Sequence, residues 1–124
     1  MISLSKEQVV SLHAKMVAQK GGVSGVASEA MLDSALLSAL QTHNGKDLYP
    51  TTIDKIARIT YGIIKNHPFV DGNKRIATFV MLILLRLNHI NTSISNDDVV
   101  YIGRSIANGT MSYQELVVFI SQRR

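Results

Sequence analysis

Apolar residues recur three or four positions apart along most of this chain, and this spacing predicts amphipathic helices. The first such segment, residues 6–20, opens with the stretch Ser5–Gln8, in which Ser and Gln have the spacing of a helix-capping box. A connector of small residues, 23–27, then leads to Ser28, which can cap a second helix that extends to Leu40. The first third of the chain therefore predicts two helices.

A polar loop at 42–47 separates these helices from a third, which stops before Pro68 because proline lacks the backbone N–H that a helix interior needs. The run Ile76–Leu85 is apolar on every side of a helix. We therefore predict a central, buried helix over about residues 73–88, and we expect Leu82 within it to be buried.

Two further helices follow, one capped within Ser95–Asp98 and one by Ser112 together with Glu115. No run of alternating apolar and polar residues is bounded by hairpin turns, so no strand is predicted. The fold class is all-α: a single domain, 1–124, with about six helices arranged around the buried helix at 73–88.

Composition agrees with one globular domain, since 46% of the residues are apolar and 18% are charged. Cysteine is absent, which excludes disulfides, thiol catalysis and Cys-ligated zinc. The longest apolar run is shorter than the roughly 20 residues that span a bilayer, and the N-terminus lacks the pattern of a secretion signal. We expect a soluble, cytoplasmic protein without a membrane partner. The net charge of +4 suits phosphate ligands, nucleic acid or an acidic protein and does not choose among them.

Candidate chemistry is concentrated in His67–Arg75, which places an imidazole, a carboxylate, a glycine and two cations just ahead of the apolar helix. Histidine exchanges a proton near neutral pH, so His67 can accept one from an attacking hydroxyl. Asp71 can supply the carboxylate that a Mg²⁺ ion needs, with water and phosphate completing its coordination. Gly72 lets the backbone approach a ligand closely.

The start of the following helix predicts an anion-binding site, because the N–H groups of Asn73, Lys74 and Arg75 lack helical acceptors there. Lys65, at the end of the third helix, either interacts with the helix dipole or points into the same pocket. Phe69 is expected to insert into the core and anchor the loop. The other histidines lack a partner at ligand spacing and receive surface or packing roles: His13, His43 and His89.

The same residues also have simpler interpretations. A lone histidine in a loop is usually a surface group, Asp71-Gly72 can be an ordinary turn, and Lys74 and Arg75 can be a solvated charge pair. A site is favoured because all of them occur within nine residues.

This stretch resembles the signature of the Fic/Doc superfamily, His-Pro-Phe-x-(Asp/Glu)-Gly-Asn-(Gly or Lys)-Arg, at every fixed position from His67 to Arg75. In size, helix outline and motif position the chain is similar to the death-on-curing (Doc) toxins of bacterial toxin–antitoxin modules. Two residues differ from the AMP-transferring Fic branch, which has glycine in place of Lys74 and a second arginine in place of Thr78.

The resemblance implies phosphoryl transfer from Mg-ATP to a Ser or Thr hydroxyl of a protein, with elongation factor Tu as the target and arrested translation as the result. It implies that His67 is the base and that Asp71 holds Mg²⁺. The phosphate-binding residues that it implies are Gly72, Asn73, Lys74, Arg75 and Lys65. It further implies a Phd-like antitoxin whose disordered tail folds into a groove on the toxin, and no direct binding to nucleic acid is expected.

Two alternatives to the kinase hypothesis stay open. The first is a Fic-type transferase of AMP or another nucleotide, which Pro68 and Gly72 favour and which Lys74 and Thr78 oppose. The second is a catalytically silent module that binds an antitoxin or DNA.

Overall fold

The computed structural model describes all 124 residues. Its six helices are α1 (Lys6–Lys20), α2 (Glu29–Leu37), α3 (Thr52–Asn66), α4 (Asn73–Leu87), α5 (Asn96–Ala107) and α6 (Tyr113–Gln122). The predicted all-α class with six helices is confirmed. The second helix ends before Leu40, since a 3₁₀ turn covers Ser38–Leu40. None of the helices combines the length and hydropathy needed to cross a membrane.

Five of the six helices begin at a serine or threonine whose side chain accepts a hydrogen bond from a backbone N–H of the first turn. These N-cap residues are Ser5, Ser28, Thr51, Ser95 and Ser112. The four starts predicted from capping patterns, at Ser5, Ser28, Ser95 and Ser112, are therefore confirmed, whereas the cap at Thr51 was not predicted. Helix α4 is the exception, because its N-cap is Gly72 and no side chain caps it.

Helices α3 and α4 share the centre of the fold. Helix α3 packs against α2, α4, α5 and α6, while α4 packs against α1, α3 and α5. The contact between α2 and α3 depends on Gly62, where an added Cβ would lie 3.2 Å from the Cα of Ala35. This close approach of two backbones keeps α3 enclosed and fixes the end of the helix from which the motif loop departs.

Helix α4 is buried along one broad face and not on every side. Ile76 and Leu84 are buried, whereas 46% of Phe79 and 37% of Leu82 is exposed. The predicted burial of Leu82 is therefore wrong. Phe79 and Leu82 are three positions apart and share one side of the helix, which is only partly covered. A run that is apolar on all sides gives no information about which side will be covered.

The segment predicted as a polar loop at 42–47 contains a small antiparallel hairpin of β1 (Thr42–His43) and β2 (Lys46–Asp47). Its turn is formed by Asn44 and Gly45, with φ values of 51° and 76°. Positive φ at both central residues is typical of the type I′ turn that joins such strands. Two-residue strands of exposed polar side chains carry no hydrophobic alternation, so the pattern could not predict them.

Candidate functional site

A groove of about 470 Å³ opens where α4 begins. One wall belongs to the motif and carries six of the eight predicted site residues: His67, Asp71, Gly72, Asn73, Lys74 and Arg75. The opposite wall belongs to α5, from which five residues line the groove: Val99, Val100, Gly103, Arg104 and Ala107. The two predicted residues outside the groove are Phe69 and Lys65.

The imidazole of His67 reaches the groove because the chain reverses direction at this residue. His67 ends α3 in the left-handed conformation, with φ 51° and ψ 53°, and its N–H donates to the carbonyl of Ile63 at 3.2 Å. This conformation costs a non-glycine residue about 1–2 kcal/mol, and conformations held at such a cost concentrate at functional sites. His67 is exposed and lines the groove.

The loop that follows is anchored by Phe69 and Asn73. Phe69 is fully buried. The side-chain Oδ1 of Asn73 accepts from the N–H of Phe69, and its Nδ2 donates to the carbonyl of Phe69, both at 2.9 Å. The amide side chain of Asn73 therefore closes the loop. Its backbone N–H takes no part in these bonds.

The start of α4 leaves three backbone N–H groups without a helical acceptor. The first helical hydrogen bond runs from the N–H of Ile76 to the carbonyl of Gly72, at 2.9 Å, so the amides at 73–75 precede it. Gly72 has φ 73°, a conformation that glycine adopts without steric cost. No acidic residue lies in the first turn. The partial positive charge of the helix end is thus available to an anion in the groove.

Asp71 has a carboxylate that is ionised and held in place. Its Oδ2 accepts from the N–H of Val23 at 3.1 Å, and its Oδ1 accepts from the N–H of Gly72 at 2.8 Å. These hydrogen bonds, with the Val23 amide first, lower the pKa of Asp71 below its usual value, and the charge of Arg75 lowers it further. Carboxylates that accept backbone N–H groups keep their negative charge at neutral pH.

The groove is chemically suited to a hard cation bound together with phosphate. Asp71 is the one carboxylate that lines it, and no cluster of three or more metal-ligating side chains exists in the chain. An ion held by Asp71 would therefore complete its coordination with water and phosphate oxygens, which is the usual arrangement for Mg²⁺ and unsuitable for a structural zinc.

The connector between α1 and α2 runs beside the motif loop and fixes it. The N–H groups of Ala27 and Ser28 both donate to the carbonyl of Pro68, at 2.8 and 3.0 Å. The N–H of Val70 donates to the carbonyl of Gly25 at 3.0 Å. Backbone hydrogen bonds thus join the motif loop to a segment about forty residues earlier. The sequence showed this segment only as a run of small residues.

His13 of α1 is a site residue that the sequence did not reveal. It is 1% exposed, its ring stacks on Phe69 with centroids 3.9 Å apart and planes inclined by 14°, and its Nε2 lies 2.8 Å from the carbonyl oxygen of Asp71. A carbonyl only accepts, so Nε2 donates. The packing role expected for His13 is present, and it acts directly on the motif loop. The available signal was its spacing from Met16, which places both on the buried face of α1.

Two residues of α5 were also missed. An added Cβ at Gly103 would lie 3.3 Å from the Cβ of Lys74, so the aliphatic stem of Lys74 rests on the space that this glycine leaves. Arg104 follows it and lines the groove. A glycine inside a helical pattern was the one available signal, since it often marks close packing.

Lys65 and Thr78 stand apart from the proposed phosphate contacts. The Nζ of Lys65 lies over the ring of Tyr61, 5.9 Å from its centroid, and Lys65 does not line the groove. Thr78 does line the groove, yet its hydroxyl donates to the carbonyls of Lys74 and Arg75, at 3.0 and 3.2 Å. The hydroxyl of Thr78 is therefore hydrogen-bonded to the backbone of its own helix, α4.

Comparison with known proteins gives two matches. A sequence profile described as the Fic/DOC family matches residues 3–85, which include the entire motif. A curated relative, Toxin Doc of Mycolicibacterium smegmatis (strain ATCC 700084 / mc(2)155), is 34% identical over 77 residues. This match covers 62% of the present chain and 59% of the relative's length. The profile ends within α4, so α5 and α6 lie beyond it.

Proposed function

Because this chain belongs to the Fic/DOC family, we propose that it is a transferase that modifies a hydroxyl group of a protein, and that it moves the γ-phosphoryl group of Mg-ATP to a serine or threonine. The observation that carries this proposal is that the exposed imidazole of His67 and the uncapped start of α4 line the same groove. The imidazole can accept a proton, and the free N–H groups at the helix start can bind phosphate.

The phosphate chain is bound at the start of α4 in this proposal. A triphosphate needs several hydrogen-bond donors and positive charges, and the groove offers the free amides at 73–75 together with the side chains of Lys74 and Arg75. The aliphatic stem of Lys74 occupies space beside Gly103. The AMP-transferring branch has a glycine in place of Lys74 and therefore leaves this space empty. The side chain at this position favours a nucleotide whose terminal phosphate, not its α-phosphate, faces His67.

The reaction is a single displacement at phosphorus. The target hydroxyl gives its proton to the imidazole of His67 as its oxygen bonds to the γ-phosphorus. The bond from the γ-phosphorus to the bridging oxygen breaks, and ADP leaves with that electron pair. Asp71 would hold a Mg²⁺ ion together with the phosphates, and such an ion would neutralise charge on the phosphate oxygens. His13, Phe69 and Asn73 keep the loop in the geometry that this transfer needs.

We further propose that the biological role is that of a Doc-type toxin in the bacterial cytoplasm. The relative of M. smegmatis is named a toxin, and the motif resemblance implies elongation factor Tu as the modified protein and translation as the process that stops. A Phd-like antitoxin, bound in the same cell, is the expected partner.

Labelled ATP tests the chemistry. The purified chain is incubated with a bacterial extract and ATP labelled at either the γ- or the α-phosphate. His67→Asn removes the imidazole and retains the left-handed backbone, since asparagine tolerates positive φ well. His89→Asn is the matched control, because His89 is also an exposed histidine with positive φ, at 57°. We expect protein-bound γ-label with the wild type and with His89→Asn, and none with His67→Asn.

Label from the α-phosphate on protein would contradict phosphoryl transfer and support the nucleotidyl-transferase alternative. Mass spectrometry of purified elongation factor Tu after the reaction tests the target, since one phosphate and one AMP add different masses. Growth arrest by His67→Asn as strong as that of the wild type, at equal expression, would contradict a catalytic role and support a silent binding module.

A further inference from the structure

Three cations line the groove without forming an ion pair: Lys74, Arg75 and Arg104. All ion pairs of the protein join other residues. Arg75 makes one long contact, from a guanidinium nitrogen to the carbonyl of Gly21 at 3.4 Å. Two of these cations belong to the motif, and the third comes from α5 on the opposite wall.

Packing next to Arg104 fixes the distance between the two walls. The stem of Lys74 rests on Gly103, where an added Cβ would lie 3.3 Å from the Cβ, 3.7 Å from the Cγ and 3.9 Å from the Cδ of Lys74. Helix α5 therefore packs against the start of α4 so closely that a side chain at position 103 would crowd the stem of Lys74. Arg104, one residue further along, lines the same groove as Asn73, Lys74 and Arg75.

The position of Arg104 along its helix does not explain why it lines the groove. A basic residue in the last turn interacts favourably with the carbonyl end of the helix dipole, and Arg104 lies in the last turn of α5. Arg86 also lies in the last turn of its helix, α4, is likewise exposed and does not line the groove. The comparison separates a dipole role, which both arginines can have, from a role in the groove.

We propose that Arg104 is a phosphate-binding residue, which contacts the phosphate chain of the nucleotide from the α5 side while the motif binds it from the other. A guanidinium group can donate two parallel hydrogen bonds to two oxygens of one phosphate. The groove volume of about 470 Å³ is in the range of sites that enclose a small molecule. The inference rests on the proposed function and extends the site to a helix beyond the family match at 3–85.

Calorimetry with two ligands tests this contact. Mg-ATP and magnesium tripolyphosphate, which lacks the nucleoside, are titrated into the wild type, Arg104→Gln, Arg104→Lys and the control Arg86→Gln. We expect Arg104→Gln to weaken the binding of both ligands about tenfold, as for the loss of a charge-assisted hydrogen bond. Arg104→Lys should lie between, because it keeps the charge and loses the two-pronged geometry. Arg86→Gln should bind like the wild type.

Equal affinity of Arg104→Gln and the wild type would overturn the inference and leave the proposed function intact. A loss for ATP alone would also overturn it, since the contact would then be with the nucleoside. An equal loss of affinity in Arg86→Gln would also overturn the inference, because the weaker binding would then follow from the lower net charge of the protein. If the wild type binds neither ligand, the proposed function itself fails. Melting temperatures of the two glutamine variants, which should agree with the wild type, check that each is folded.

Discussion

The starts of α5 and α4 differ in whether side chains bind the free N–H groups of the first helical turn. At α5, the Ser95 hydroxyl accepts from the N–H of Asp98, and the Asp98 carboxylate accepts from the N–H of Ser95. At α4, Gly72 offers no side chain, and the Asn73 amide turns back to Phe69. A capped start satisfies its own N–H groups and has little to offer a ligand. An uncapped start gives up that stability and leaves its donors available.

The open start of α4 is held by contacts made elsewhere. Buried packing of Phe69 against His13, the two hydrogen bonds from Asn73 to Phe69 and the backbone bonds of the connector fix the loop without a cap. Phe69 and His13 do not line the groove, whereas Asp71 and Asn73 both hold the loop and line the groove.

The largest expected effect comes from His67→Asn. The rate of phosphoryl transfer should fall by about 10²–10⁴, the usual contribution of a general base. The melting temperature should stay the same or rise slightly, because asparagine suits the left-handed backbone at this position. Initial rates and thermal melts measure the two quantities. An unchanged rate in this variant would contradict the role of His67 as general base. The uncapped start of α4 would then have no catalytic group beside it.

Next in size is Leu84→Ala, which tests whether the body of α4 behaves like an ordinary core helix. Leu84 is 1% exposed, and its truncation should lower the free energy of unfolding by about 2–5 kcal/mol. Leu82→Ala is the matched control on the same helix. Because 37% of Leu82 is exposed, the loss should stay below about 1 kcal/mol. Urea denaturation compares them, and equal losses would contradict the orientation of α4.

A side chain at the N-cap of α4 should lower both the stability of the protein and its affinity for Mg-ATP. Gly72→Ser requires φ near 73° at a non-glycine residue, and its Cβ would lie 3.1 Å from the Cε of Met16. The left-handed conformation should cost about 1–2 kcal/mol of stability. The hydroxyl and the shifted loop should also weaken the binding of Mg-ATP. Denaturation and calorimetry report the two effects, and unchanged affinity would show that the amides at 73–75 do not bind phosphate.

A capped start should respond in the reverse manner. Ser112→Ala removes the N-cap of α6, which does not line the groove, and should lower the free energy of unfolding by about 1 kcal/mol. The affinity for Mg-ATP should not change, because the hydroxyl of Ser112 serves only its own helix. A loss of affinity on calorimetry would mean that capping and ligand binding are not separate in this fold.

The smallest effect is a pH dependence at Asp71. Its pKa in the folded chain is lowered from the ordinary value of 3.8, so the associated stability is present above that value and lost as the pH falls through the lowered pKa. Asp71→Asn should melt below the wild type at neutral pH, and the difference should shrink in acid below pH 3.8. Thermal melts across this range measure it. A constant difference at every pH would contradict the carboxylate contact with the Val23 amide.

The sequence was informative wherever the cause is local. Capping residues and apolar spacing lie within one turn of each other, so four helix starts and the motif loop could be predicted. His13 and Asp71 are 58 positions apart, and no local pattern pairs them. Leu82 was misplaced because an apolar run on all sides of a helix does not identify its covered face. Arg104 has the sequence context of an ordinary dipole partner, and only the packing of α5 on α4 places it on the groove.

The location of His13 in α1 has a practical consequence for anyone who shortens this domain. A fragment trimmed to the helices around the motif would still contain every signature residue and would lack the ring on which Phe69 rests. Purification tags can extend the exposed Met1, but deletions should stop short of Val9, which is completely buried on the same helix.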